Sequence, residues 1–345
     1  ADGPYLTDVD GNRYVDLTAG FGPNVLGNRP KVVEQAISNQ IKKGWHFGIP
    51  GPGQSELAGI LKEASPVTEQ VVFCNSGSEA TMFAFRAARA YTGKQVVALF
   101  DGSYHGIHDY ALTKADLKSD RSKPRSKVMG AGVPEVVPQE LMLMLPYRDE
   151  NAFDLIRQYK DSLAMVVVEP VQSSNPRLDN QKFFKDLREV CTDCGVLLLF
   201  DEVITGFRIE FGGCQEYYGI DPDLVTYGKA IGGGLPIGAV AGPRKIMNTF
   251  SGADGTPAIF AGGTFNGNPL TMSAGIAALS FLKENKNEIY PFLHEQGNRF
   301  AREINNFCES HNIPAKLMNA GSMMHLLFGK GAVSYTHLRA HETRF

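Results

Sequence analysis

In the middle of the chain, hydrophobic positions come in short unbroken runs instead of alternating with polar ones. Residues 70–73 (QVVF), 95–100 (QVVALF), 164–168 (AMVVV), 196–200 (VLLLF) and 224–227 (LVTY) are apolar almost throughout. Runs of this kind predict strands covered on both faces, as in a parallel sheet. Between them the spacing changes, and residues 80–91 and 181–194 read as helices. Strand, polar or glycine-rich turn, and helix recur in that order. The pattern predicts an α/β fold with a mostly parallel central sheet between helices. Ligands then bind where strand carboxyl ends open into loops.

The flanks differ. Residues 5–16 read as a hairpin turning at Asp10-Gly11, and 286–328 give one long helical pattern followed by a strand at 323–328. These two ends are expected to form one small α+β domain. The expected divisions are 1–44 for its first part and a linker, 45–285 for the large domain, and 286–329 for a truncated second part. Residues 114–140, rich in Lys, Arg, Ser, Gly and Pro, predict a long surface excursion, and its basic start a solvated loop. The tail 330–345 does not continue the pattern and resembles translated adapter sequence. It is set aside as non-native, together with its His337 and His341 pair.

Composition narrows the class. Hydrophobic residues make up 43% and charged residues 21%, which excludes disorder and fits a globule with a sizeable core. A net charge of −3 argues against a nucleic-acid binder. No apolar stretch approaches the roughly 18–20 residues of a membrane span. The start lacks a signal-peptide pattern, although a chain beginning without Met is expected to have lost its true beginning. Five scattered cysteines suit a reducing compartment, so cytoplasm is the expectation. Cys191 and Cys194 form a lone CxxC, read as packing and not as zinc or redox chemistry; no metal site is expected.

Three candidates for chemistry lie at predicted strand ends. Residues 75–80 (NSGSEA) join a strand to a helix, where free backbone N–H groups and the helix dipole favour an anion. Taken alone, this motif reads first as a plain serine cap. Asp201 ends the apolar run 196–200, as a local cap or ion pair or as counter-charge to a cationic ligand. Lys229 sits among apolar and small residues before a glycine-rich loop. Desolvation there lowers a lysine pKa and makes the amine a nucleophile towards carbonyls. A buried lysine, a buried aspartate and an anion cradle together point to one site.

At this point the sequence resembles the class-III, fold-type-I aminotransferases, which depend on pyridoxal 5'-phosphate (PLP). The similarity is carried by 8–17 (DVDGNRYVDL), 73–80 (FCNSGSEA), 102–106 (GSYHG), 168–173 (VEPVQS), 200–208 (FDEVITGFR), 227–238 (YGKAIGGGLPIG) and 262–270 (GGTFNGNPL), in family order. The resemblance implies an aspartate aminotransferase-like large domain. It implies that Lys229 holds PLP as a Schiff base and shuttles the substrate proton, and that Asp201 pairs with the pyridinium nitrogen. Val203 would lie on one ring face and Tyr104, beside His105, on the other. Ser76, Gly77 and Ser78 would receive the phosphate, and Glu169 would stand at the site margin. Thr264 would reach the cofactor of a neighbouring subunit in a homodimer. Family members also extend beyond both ends of this chain, so the sequence is expected to be a fragment with an intact cofactor site.

Within the family the motifs diverge. Residues 204–208, 212–213 and 262–269 resemble glutamate-1-semialdehyde aminomutase. Residues 171–176 and 132–147 resemble the aminotransferase modules of peptide and polyketide assembly lines, which would imply a carrier protein as partner. Ser174 stands where ω-amino-acid transaminases carry a gating glutamate. The leading expectation is a transaminase moving an amino group from an amino donor to a carbonyl acceptor through pyridoxamine phosphate. The 1,2-aminomutase is the first alternative and a non-catalytic PLP-binding module the second.

Overall fold

The computed structural model describes residues 1–251 and 255–329. The tail at 330–345, with His337 and His341, lies outside the described residues.

The chain opens with an antiparallel hairpin of β1 (Tyr5–Thr7) and β2 (Arg13–Val15). Asp8 fixes its turn by accepting the N–H groups of Asp10 and Asn12 and the Tyr14 hydroxyl. Helices α1 (Lys31–Ile41) and α2 (Pro52–Ala64) lead into the central sheet. Strands β3 (Gln70–Cys74) and β4 (Val96–Phe100) belong to that sheet, whereas β5 (Thr113–Ala115) and β6 (Ser126–Val128) form a small ribbon in the basic excursion. The sheet is completed by β7 (Met142–Leu145), β8 (Leu163–Val168), β9 (Leu197–Asp201), β10 (Leu224–Gly228) and β11 (Gly238–Gly242).

The spatial order is β3-β11-β10-β9-β8-β4-β7. The pairs from β10 through β9, β8 and β4 to β7 are parallel, and β11 runs antiparallel to both its neighbours. The predicted mostly parallel α/β sheet is therefore present. Both faces are covered, which is why the strands read as continuous apolar runs. Val97 and Leu99 of β4 pack on one side with Phe83 and Phe85 of α3 (Gly77–Thr92). Ala98 and Phe100 pack on the other with Ile156 of α4 (Asn151–Tyr159) and Phe184 of α5 (Gln181–Asp193). Each fully buried Leu or Phe contributes about 1.5–3 kcal/mol.

Two sheet strands were not found in the sequence: β7, although its residues 142–145 (MLML) are an apolar run, and β11, which is made of small residues. In β11 the cause is steric. A Cβ added at Gly238 would lie 2.0 Å from the Ser76 carbonyl oxygen, so this strand passes the loop before α3 at backbone distance. Small residues are needed there, and they hide the strand.

Helices α6 (Gly213–Tyr218), α7 (Arg244–Ser251) and α8 (Pro269–Glu284) follow, with α8 packed on α1 and α2. The 25-residue α9 (Lys286–Ser310) then packs on a second hairpin, β12 (Ala315–Ala320) and β13 (Met323–Phe328). The sequence reading found β13 and missed β12. The hairpins at the two chain ends form separate two-stranded sheets. Among the described residues no helix is long and apolar enough to cross a membrane, and no group of three or more His, Cys, Asp or Glu could hold a metal ion. All five cysteines are free, and Cys191 packs in the core.

Candidate active site

Strand carboxyl ends and the loops after them surround a cavity of about 390 Å³, within the range of small-molecule sites. One wall is the start of α3. Ser76 is its N-cap: the Ser76 hydroxyl accepts the Glu79 N–H at 3.2 Å, and Glu79 reaches back to the Asn75 N–H at 2.8 Å. This reciprocal box satisfies two backbone donors. The N–H groups of Gly77 and Ser78 have no acceptor within the helix and stand at its positive end. The Ser78 hydroxyl accepts the Ile107 N–H at 3.2 Å. Close approach shapes this corner. A Cβ on Gly77 would lie 2.8 Å from Val203, and one on Gly106, whose φ is +105°, only 2.5 Å from Ser78 Oγ.

A second wall is the end of β9. Asp201 is 4% exposed and fully engaged. Its Oδ2 lies 2.7 Å from His105 Nδ1, and its Oδ1 accepts the Thr226 hydroxyl at 3.0 Å and the Val203 N–H at 3.2 Å. A carboxylate only accepts, so His105 Nδ1 carries the proton in this pair. His105 Nε2 is buried without a partner. The next residue, Glu202, is turned away from the cavity. It accepts the N–H groups of Cys214 and Gln215 at 3.0 Å each, and the Thr205 hydroxyl, and so pins the following loop.

Lys229 begins the turn after β10 with φ +48°, a left-handed value that a non-glycine residue holds only when its surroundings enforce it. Burial lowers its pKa, and Arg208 lowers it further, while the carboxylates of Glu169 and Asp201 act to raise it. The net depression leaves more free amine at neutral pH than a surface lysine has. Glu169, 3% exposed, accepts the Tyr104 N–H at 2.8 Å. Burial pushes its carboxyl up to about 7, against the pull of His105 and the Tyr104 N–H.

Of the residues singled out in the sequence, Gly77, Ser78, Tyr104, His105, Glu169, Asp201, Val203 and Lys229 all line this one cavity. Ser76 does not; its hydroxyl serves the helix cap. Thr264 is exposed and lies outside the cavity of its own chain. Sequence reasoning missed Thr226, the second partner of Asp201, and Gly20 and Pro23 of the strap 19–23, which line the cavity. The closely spaced Gly20 and Gly22 were a usable signal for that strap. A threonine inside an apolar strand, at a position facing the neighbouring Asp, gave none.

The donor set fits the cofactor implied by the sequence. Free N–H groups at a helix start suit a phosphate, a buried and oriented carboxylate suits a protonated ring nitrogen, and a desolvated amine suits an aldehyde. The glycine positions at 77 and 106 keep the phosphate corner open, because a side chain at either would collide with its walls.

Comparison with known proteins agrees with this chemistry. The aminotransferase class-III family model matches residues 1–341. The glutamate-1-semialdehyde 2,1-aminomutase 2 of Lachnoclostridium phytofermentans is 39% identical over 341 residues, covering 97% of this chain and 77% of that protein. The glutamate-1-semialdehyde 2,1-aminomutase of Methanocaldococcus jannaschii is 39% identical over 343 residues, covering 98% and 78%. Among solved structures, an omega-transaminase from Sphaerobacter thermophilus superposes with a TM-score of 0.87 at 33% identity, covering 96% of this chain and 76% of that one. A β-phenylalanine aminotransferase from Variovorax paradoxus gives 0.83 at 33% identity, covering 98% and 74%.

Proposed function

Because this chain belongs to the class-III aminotransferase family, whose members are PLP-dependent enzymes, we propose that it is a transaminase moving an amino group from a small amino donor to a carbonyl acceptor. The observation that carries this reading is the convergence of Lys229, Asp201 and the Gly77–Ser78 helix start on one cavity.

PLP, when bound, supplies an electron sink for charge developing on the substrate carbon. The chain's own groups divide the remaining work. The Gly77 and Ser78 N–H groups would hold the phosphate, helped by the dipole of α3. Asp201, held in place by His105 and Thr226, would keep the ring nitrogen protonated; a carboxylate with all its directions fixed needs little reorganisation. Val203 and Tyr104, which both line the cavity, would confine the ring. Lys229, whose amine burial leaves less protonated than a surface lysine's, would hold the cofactor and could take up and return the substrate proton at Nζ. Glu169 orients the Tyr104 backbone at the site margin.

A second reading is favoured by the two aminomutase relatives at 39% identity: intramolecular transfer within glutamate-1-semialdehyde. Single-turnover product analysis separates the two. A transaminase releases a carbonyl product from an amino donor and then aminates a separate acceptor. An aminomutase converts glutamate-1-semialdehyde with no exchange into added keto acids. Failure of both reactions in the PLP-loaded protein would overturn the proposal.

The finer assignments are inferred alongside. We assign 45–285 to the large domain, and 1–44 with 286–329 to a small one. We also infer a homodimer in which Thr264 serves the neighbouring site, a cytoplasmic location, and a carrier-bound substrate as one form of the amino acceptor.

A further inference from the structure

Arg208 is a buried cation with no counter-charge. It is 7% exposed, burial alone brings its pKa down to about 10, and among the described residues no carboxylate pairs with it. Burying a guanidinium this way is costly unless its N–H groups are used. Two of its nitrogens are used on segments far apart in the chain. Nη2 donates to the Gly22 carbonyl at 2.5 Å, and Nη1 donates to the Ser322 hydroxyl at 2.9 Å. Nε is buried without a partner.

The strap that it grips is strained. Ala19, Gly20, Phe21 and Gly22 all have positive φ, of 48°, 64°, 62° and 115°. Two of the four are not glycine, so this conformation persists only under external restraint. Asp16 restrains the near end by accepting the Thr18 and Ala19 N–H groups at 3.0 and 2.9 Å. Arg208 restrains the far end at Gly22. That end touches the reactive lysine: a Cβ on Gly22 would lie 3.1 Å from Lys229 Cδ. Ser322 is firmly seated in turn, because its neighbour Gly321 presses on α9 so closely that a Cβ on Gly297 would lie 2.0 Å from the Gly321 carbonyl oxygen.

We infer that Arg208 is a positioning residue that clamps the strap 19–23 onto the Lys229 side chain and ties it to the turn of the β12–β13 hairpin. It is not among the residues that line the cavity. Its work is to close the roof of the cavity and confine the lysine stem. A planar fork with fixed N–H directions does this with one residue, which a lysine cannot reproduce. The clamp makes the site depend on three segments at once: the strap, the loop after β9, and the C-terminal hairpin.

Its consequence for Lys229 rests on the lysine reading given above; the clamp itself does not. The charged and titratable groups facing Lys229 are Glu169, Asp201 with its partner His105, Tyr104, and Arg208. Removing the one cation among them relieves part of the depression of the lysine pKa.

The test compares Arg208→Met, Arg208→Lys and Ser322→Ala with the unaltered chain by two measurements. Amide hydrogen exchange of 19–24 is followed in cofactor-free protein, and the pH midpoint of the Lys229 adduct absorbance in PLP-loaded protein. In Arg208→Met, exchange of the strap should be about tenfold faster or more while β8 and β9 keep their protection. The absorbance midpoint should move to higher pH. Arg208→Lys should restore the midpoint but not the strap protection, and Ser322→Ala should loosen the strap by a smaller factor. Unchanged strap exchange in both Arg208→Met and Ser322→Ala would overturn the clamp. Should Arg208→Met lose protection throughout the chain, Ser322→Ala decides alone, by local loosening or its absence. Absence of any adduct absorbance would count against the lysine reading and leave the exchange result to judge the clamp.

Discussion

His105 Nδ1 and Asp201 Oδ2 lie 2.7 Å apart, with side chains 1% and 4% exposed, at the mouth of β9. The two residues come from different crossovers, 96 positions apart in sequence. Thr226, on the adjacent strand β10, holds the other oxygen of the same carboxylate. A buried carboxylate oriented from two sides is built to present a fixed negative charge.

Replacing that charge should therefore damage chemistry more than binding. Asp201→Asn is expected to retain the fold and PLP while turnover falls roughly 10²–10³-fold, the cost of removing one preorganised electrostatic partner. Thr226→Val should cost less, about tenfold. Steady-state rates beside PLP titrations check both; near-normal turnover in Asp201→Asn would refute the ring-nitrogen role.

Glu169 makes stability depend on pH in a definite direction. Its folded pKa is raised to about 7 by burial, above the ordinary carboxylate value. Below the unfolded value both states are protonated and no difference arises. Between the two values the unfolded chain gives up a proton that the folded one keeps, so stability falls as pH rises. The loss is complete once pH passes about 7. In cofactor-free protein, Glu169→Gln should remove on the order of 2 kcal/mol of this pH dependence. Urea denaturation at pH 5 and pH 8 measures it; an unchanged pH dependence would contradict the assignment.

The phosphate corner should be intolerant of one methyl group. Gly106→Ala adds an atom 2.5 Å from Ser78 Oγ at a φ of +105°, combining collision with backbone strain. The expected cost is on the order of 1–3 kcal/mol, seen as weaker PLP retention on gel filtration, with the protein still folded by circular dichroism. Full retention would mean that the corner is not the phosphate site.

These features were unequally visible in the sequence. The strands β4, β8, β9 and β10 were legible because burial on both faces leaves unbroken apolar runs. Lys229, Asp201, Glu169 and the α3 start were legible because each stands where such a run ends. β11 was not, since its contact with the Ser76 carbonyl demands glycine, and glycine is the residue that apolar pattern-reading discounts. Ser76 was expected at the phosphate by its place in the motif, yet the same spacing that marks a cradle also makes a capping box with Glu79. Arg208 sat in a quoted motif without being singled out. Its partners Gly22 and Ser322 lie 186 and 114 positions away, and only the fold brings them together.

Thr264 offers a check on assembly. It is exposed and does not line its own chain's cavity. If it serves a neighbouring subunit, Thr264→Ala should weaken PLP retention in a dimer. Analytical ultracentrifugation of PLP-loaded protein, paired with activity, tests this: a fully active monomer would remove the cross-subunit role.

The proposed function turns on Lys229 as the residue that carries the cofactor. Incubation with PLP, reduction with borohydride and peptide mapping by mass spectrometry test it directly. A single reduced phosphopyridoxyl adduct on Lys229 is expected, absent from Lys229→Ala together with turnover. An adduct on another lysine, or undiminished turnover in Lys229→Ala, would contradict it.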